Sequence, residues 1–336
     1  MKIEIDFMDT ELGSLNFDKK KKSQETENPN EIEILKLLYS TFGKQNVIGC
    51  CMFGIFSIIS IIVGVLVVYF TSPDPSNVCN FDFKRTMKSS VVSDSDPRAV
   101  ALGDVNNDHL LDIVAANSGT DTIGVFLSLS NSNFTDQQAY PTGHGSHPTS
   151  LVLTDFNNDT YLDVAVANYG TNNIGIFLGN KTGGYAQQKN YPLNASRPIF
   201  IVAGDFNHDN LADIIVASNG TYCIDIFLGN GDGTLRYYRA YSTGYDSSPV
   251  TMAVGDFNQD NSLDIAVANS GTGSIGIFFG NGNGTFSQQT TFSINSESHP
   301  TYIQFGNFDQ DTQIDVVVVD PTNDEVYIFL RYANKT

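Results

Sequence analysis

Five short acidic segments carry the residues best suited to chemistry in this chain: GDVNNDHLLD from Gly103, TDFNNDTYLD from Thr154, GDFNHDNLAD from Gly204, GDFNQDNSLD from Gly255 and GNFDQDTQID from Gly306. In the first, Asp104, Asn106 and Asp108 stand at positions 1, 3 and 5, the carbonyl of Leu110 at 7 and Asp112 at 9. The corresponding sets are Asp155, Asn157, Asp159, Tyr161 and Asp163; Asp205, Asn207, Asp209, Leu211 and Asp213; Asp256, Asn258, Asp260, Ser262 and Asp264; and Asn307, Asp309, Asp311, Gln313 and Asp315. Alternate residues of a tight loop point inward, and hard Ca2+ takes about six to eight oxygen ligands, so this spacing predicts up to five Ca2+ sites. Each set holds three carboxylates and one amide, and the fifth exchanges Asn and Asp while keeping the ligand charge. Mg2+ suits the pattern less, because it demands a rigid octahedron and keeps its waters. Asx turns bonding their own backbone would use similar residues; five matching copies favour the cation.

The elements that must hold these loops repeat with them. Their second residues, Asp104, Asp155, Asp205, Asp256 and Asn307, recur about every fifty residues, a period typical of propellers and solenoids. Around each loop come short alternating runs such as TSLVLTDF, LDVAVANYG and NIGIFLGN, separated by Asn and Gly, which read as antiparallel strands rather than helices. Four strands per repeat make a propeller blade. Gly124, Gly175 and Gly276 share one third-strand position, where a close backbone approach is expected. The fifth repeat ends after three strands, and residues 81–90 hold one unpaired strand. The expected fold is therefore all-β, a five-bladed β-propeller closed by its N-terminal strand.

These loops, strand ends such as AVAN, and the LGNGDGT turn from Leu228 resemble the FG-GAP or VCBS-type repeat of integrin α-subunit propellers, bacterial surface proteins and some fungal lectins. The likeness covers residues 79–330 and implies Ca2+ at the matching loop positions. One departure is loop position 6, often Gly in the family but His109, Thr160, Asn210, Asn261 and Thr312 here. Thr tolerates a left-handed backbone poorly, which points to weaker second and fifth sites.

Charge and hydropathy set the surroundings. The 336 residues carry a formal charge of −19, which excludes a nucleic-acid binder because phosphate contacts need clustered cations. After residue 46 there are 28 acids against 11 bases, a self-repulsion that bound cations would ease. Residues 1–46 read as a polar, mostly disordered cytoplasmic tail with a Lys19–Lys22 run and a short helix after Asn30. Val47–Phe70 is uncharged over 24 residues, enough for one transmembrane helix, and the long preceding tail favours an uncleaved signal-anchor over a cleaved signal peptide. Cys50 and Cys51 lie inside that run, residues 71–80 form a Pro-containing stalk, and residues 81–336 form the propeller. The spacing of Cys79 and Cys223 matches neither a disulfide framework nor a zinc site.

A type II topology follows, with the N-terminus inside and the propeller at the cell surface. Weak open loops suit extracellular calcium, and N-glycosylation sequons stand at Asn133, Asn158, Asn180, Asn194, Asn219, Asn283 and Asn334. The face opposite the acidic loops, with Asn117–Asp121, His144–His147, Tyr169–Asn173 and Asn295–His299, is the candidate ligand surface. The leading expectation is an adhesion or receptor-like module for an extracellular protein or glycan ligand. The alternative is a calcium-stabilised lectin, and a non-catalytic accessory propeller comes third. No G-x-S-x-G, H-E-x-x-H or P-loop occurs, and His147 and His299 read as turn residues before Pro148 and Pro300, so the chain is not expected to be an enzyme.

Overall fold

The computed structural model describes residues 93–331 except 131, 132, 195, 296, 310 and 312. All of them belong to one compact unit, Arg85–Thr336. The first sheet contains β1 (Pro97–Gly103), β2 (Asp112–Asn117), β3 (Thr122–Phe126) and, past a separate two-stranded hairpin of β4 (Ser128–Leu129) and β5 (Asn133–Phe134), β6 (Gln138–Pro141). The second contains β7 (Pro148–Thr154), β8 (Asp163–Asn168), β9 (Asn173–Phe177) and β10 (Lys189–Pro192). The third contains β11 (Pro198–Gly204), β12 (Asp213–Ser218), β13 (Cys223–Gly229) and β14 (Leu235–Ser242). The fourth contains β15 (Pro249–Gly255), β16 (Asp264–Asn269), β17 (Ser274–Phe278) and β18 (Thr290–Ser293), and the fifth β19 (Tyr302–Gly306), β20 (Asp315–Asp320) and β21 (Glu325–Phe329). Every pairing is antiparallel, and all but that of β3 with β6, which skips the small hairpin, join sequence neighbours, as in a propeller-like meander.

Between their polar ends, second strands such as DVAVAN and DIIVAS are apolar at every position rather than alternating, because both faces of each inner sheet are covered. Side chains of successive strand residues leave opposite faces. Val164 and Val166 therefore pack with the first sheet, while Ala165 and Ala167 pack with the third. The same rule builds four inter-sheet cores, joining sheets one to two, two to three, three to four and four to five. Wholly buried side chains such as Ile174, Ile224 and Ile226 each contribute about 1.5–3 kcal/mol of burial free energy.

The expected closure of the ring by residues 81–90 lies outside the described residues; among the described residues no core joins the fifth sheet to the first. Two expectations from the sequence need correction, and the single-pass topology is the first. Among the described residues no helix is long and apolar enough to cross a membrane, and their one helix is the short turn Ser270–Thr272. The signal-anchor, the cytoplasmic tail, the membrane as a partner and the cell-surface placement are withdrawn with it; Val47–Phe70 lies outside the described residues. The second concerns Gly124, Gly175 and Gly276, whose close neighbours are the side-chain amides of Gln137, Gln188 and Gln289, not a backbone. The third sheet replaces this glycine with Asp225, whose carboxylate accepts from Ser218 Oγ at 2.5 Å.

A backbone approach does occur at the turns between second and third strands. Gly119, Gly170 and Gly271 donate their N–H to Ser95, Ser146 and Ser247 carbonyls at 2.8–2.9 Å, tying each turn to the connection that leads into the first strand of a sheet. A methyl group at Gly170 would overlap the Gly145 carbonyl oxygen, whereas at Gly175 it would meet only the movable Gln188 amide. Gly170→Ala is thus expected to cost about 2 kcal/mol in chemical denaturation, and Gly175→Ala clearly less.

Candidate metal centres and the opposite face

The acidic loops join first to second strands, so all five lie at one end of their sheets. Within each of the first four, the side chains at positions 1, 3 and 5 come together. Asp155 Oδ1 accepts from the Asp159 amide at 3.2 Å and its Oδ2 from the Thr160 amide at 2.7 Å. Asn157 Oδ1 accepts from the Asp159 amide at 3.1 Å, its Nδ2 donates to Asp159 Oδ2 at 3.0 Å, and Asp159 Oδ1 accepts from the Tyr161 amide at 2.9 Å. The sets around Asp104, Asp205 and Asp256 repeat this pattern, with Leu110, Leu211 and Ser262 supplying the last amide. The fifth differs: Asp311 Oδ1 accepts from the Gln313 amide at 2.6 Å and Asp309 Oδ1 from that of Asp311 at 3.2 Å, while Asn307 turns its amide onto the Asp311 carbonyl.

The loop backbone explains the unusual residues at positions 4 and 6. Both are left-handed in the first four loops: Asn107 and His109, Asn158 and Thr160, His208 and Asn210, Gln259 and Asn261 have φ of 58–74°. Asn tolerates that region, whereas Thr160 at φ 74° is the β-branched exception, so the local strain expected of the second loop is present.

Position 9 sits apart from the open side of the loop. Asp112, Asp163, Asp213, Asp264 and Asp315 are all fully buried. One oxygen of each accepts from the amide at loop position 2, that of Val105, Phe156, Phe206, Phe257 or Phe308, at 2.8–3.0 Å. The other accepts from the residue just beyond the third strand or at its end, Ser128, Gly179, Gly229, Gly280 or Arg331, at 2.7–2.9 Å. Positions 5 and 9 are both Asp in all five repeats while positions 1 and 3 exchange in the fifth, so residue type alone does not mark position 9 as separate.

The donor set suits a hard cation: carboxylates at positions 1 and 5 and an amide oxygen at 3, all on the accessible side of the loop. Their oxygens are engaged with the loop's own amides, and among the described residues no group of three His, Cys, Asp or Glu side chains converges as a metal cage. Burial pushes Asp163 and Asp213 up to about 6, and the neighbouring loop carboxylates add to the shift against the backbone N–H donors. Asp112 and Asp264 are raised for the same reason.

At the opposite end, polar side chains fasten the second-to-third-strand turns to the connections between sheets. Asp121 accepts from the Gly145 and His147 amides at 2.6 and 2.9 Å, Asn172 from the Arg197 amide at 2.9 Å, and Asp320 from the His299 amide at 3.2 Å. Before the prolines, Asp96, His147, Arg197 and Ser248 have φ of 42–47°, as turn residues. The third and fourth sheets add an aromatic group that sequence reading missed. Tyr245 is 90% exposed, meets Tyr222 edge-on with centroids 6.1 Å apart, and Tyr222 donates its hydroxyl to Asp246 at 3.3 Å. Arg197 lies over Tyr169 at 5.8 Å on the same end of the molecule. The four inner first strands β7, β11, β15 and β19 line a cavity of about 340 Å³ whose walls include Ile201, Met252, Ile303 and Gln304.

The raised carboxylates have a stability consequence with a definite sign. Asp163 and Asp213 hold a proton more tightly folded than unfolded, so their contribution is fully present below about pH 4 and declines as pH rises to about 6. Metal-free protein is expected to melt at a higher temperature near pH 5 than near pH 7; a scan in metal-free buffers at the two values checks this.

The FG-GAP-like repeat family matches the chain at residues 104–166, 155–216, 205–267 and 256–318, well over half its length. No curated protein matches. Among solved structures, a protein from Lactobacillus plantarum is similar with a TM-score of 0.52 and 16% identity, over 70% of each chain. A catalytically inactive virginiamycin B lyase from Staphylococcus aureus, with quinupristin, gives 0.48 and 16% over 71% of this chain and 68% of its own. An Agrocybe aegerita lectin recognising non-reducing terminal N-acetylglucosamine gives 0.46 and 17% over 66% and 60%. At such identities the likeness concerns the fold alone. The expected integrin-α-like adhesion receptor is corrected here too, because the repeats are present without a membrane-crossing helix among the described residues. The four tandem matches coincide with the acidic loops and the sheets they connect, and the chain belongs to the FG-GAP-like repeat family.

Proposed function

We propose that the sheet stack is a calcium-stabilised carbohydrate-binding module without catalysis. The observation that carries the sugar reading is the group of Tyr245, Tyr222 and Asp246, an exposed aromatic face beside a carboxylate. A sugar presents apolar C–H faces and a rim of hydroxyls. Tyrosine offers an apolar ring with a polar tip, and the neighbouring carboxylate accepts hydroxyl hydrogen bonds. The central cavity is walled chiefly by apolar side chains and carries no nucleophile beside a base, so it favours no reaction.

Calcium in this reading is structural. Its ligands would be the carboxylates at positions 1 and 5 and the amide oxygen at 3, and the bound ion would replace the loop's internal hydrogen bonds and offset the carboxylate repulsion. Position 9 stays with the backbone. The first four loops share one arrangement and are assigned this role; the fifth, with its turned Asn307 amide, is the weakest candidate.

A glycan array probed with calcium-loaded protein, followed by titration of the bound sugar, tests the proposal. Tyr245→Ala is expected to weaken binding about tenfold while changing stability by less than about 0.5 kcal/mol, since the side chain is exposed. Calorimetry of metal-free protein with Ca2+ should show heat that Asp209→Asn reduces by one site. No sugar bound at any concentration, or full binding by Tyr245→Ala, would remove the carbohydrate reading, and no heat with Ca2+ would remove the calcium reading.

A further inference from the structure

Each sheet presents one face to the sheet before it and one to the sheet after it, with the same positions used every time. The forward face carries the apolar residue at loop position 2 and two third-strand residues. These are Val105, Ile123 and Val125; Phe156, Ile174 and Ile176; Phe206, Ile224 and Ile226; and Phe257, Ile275 and Ile277, none more than 7% exposed. In the fifth sheet the equivalents are Phe308, Val326 and Ile328, which are 45%, 52% and 54% exposed. Val326 pairs with Val319 and Ile328 with Val317, so all four valine and isoleucine side chains share that forward face.

The backward face shows the mirror situation. Leu151, Ile201, Met252 and Ile303 pair with Val166, Val216, Val267 and Val318 and are at most 7% exposed. Their equivalent in the first sheet, Val100, pairs with Ala115 and is 44% exposed. Leu111, which stands where Leu162, Leu263 and Ile314 pack into the inter-sheet cores, is 56% exposed, and Leu102 beside it 37%. The described residues therefore end in two exposed apolar faces, and one is of the type that the other packs against at four places inside the same chain.

We propose that the forward face of the fifth sheet of one chain packs on the backward face of the first sheet of a second copy, a fifth inter-sheet interface made between molecules. The occupant is a second copy because continuity with the four internal interfaces specifies it: each half already has the residue types and strand positions of its partner. Such a contact joins different surfaces of the two copies, so it either closes into a ring or continues as a filament, and each molecule keeps one free face at every open end. Exposed apolar surface of this kind supplies the driving force.

Sedimentation velocity of the full chain across a concentration series is expected to show species of at least twice the single-chain mass. Two variants disable one face each: Val326→Lys with Ile328→Glu, and Val100→Glu with Leu111→Glu. Either alone should sediment as a monomer with an unchanged far-ultraviolet spectrum, because the altered side chains are exposed. Mixed together, they should form a one-to-one dimer and nothing larger, since only one complementary pair of faces remains. A wild-type chain that stays monomeric throughout, variants that assemble like the wild type, or variants that do not combine when mixed would each overturn the proposal.

Discussion

Each sheet depends on one buried aspartate that bonds two distant stretches of its own backbone. The carboxylate at loop position 9 accepts one N–H from the start of the acidic loop and another from just beyond or at the end of the third strand, so it fixes three strand ends at once. A buried anion of this kind is tolerated only because hydrogen bonds to its charged form replace the lost water. Among the described residues Asp213 is held by the Phe206 and Gly229 amides rather than by a cationic side chain. The surrounding burial still raises its affinity for a proton, which shows that the balance is close. The glycines Gly179, Gly229 and Gly280 stand where a side chain would run into the carbonyls of Leu162, Ala212 and Leu263, beside the same clamp.

Much of this arrangement was legible in the residues. Fifty-residue spacing, Asn and Gly punctuation and apolar second strands predicted four-stranded meanders, and β7 to β18 follow that reading. Pre-proline turn residues were also readable, as the positive φ of His147 and Arg197 shows. The division of labour inside the acidic loop was not, because Asp104 and Asp112 are the same residue type, and only burial separates a loop side chain from a clamp. Strand count at the chain ends says which strands lack partners, but whether the first and fifth sheets meet depends on how far each sheet is rotated from the last, which no residue spacing encodes.

The packing rule and the functional surface come from the same geometry. A sheet whose two faces are both apolar must be covered twice, and tandem repeats do this for every sheet except the outermost two. The loops then divide by strand direction into an acidic end and an end bearing Asp121, Tyr169, Tyr222 and Tyr245. Stability is concentrated in the inter-sheet cores and clamps, which leaves the second end free to vary between repeats; Asp121, Asn172, Tyr222, Gly273 and Asp324 all adopt the same left-handed turn with different side chains.

The clamp is the claim on which the account stands, and Asp213→Asn addresses it most directly. An asparagine keeps the volume, but one of its two side-chain termini is an NH2 that cannot accept from a backbone amide. Denaturant unfolding of metal-free protein, with native-state hydrogen exchange at Phe206 and Gly229, is expected to show a loss of about 2–4 kcal/mol and faster exchange at one or both amides. Asp209→Asn, on the open side of the same loop, should cost under about 1 kcal/mol in the same buffer. If Asp213→Asn unfolded at the wild-type denaturant concentration with both amides equally protected, the buried carboxylate would not be what holds the sheets.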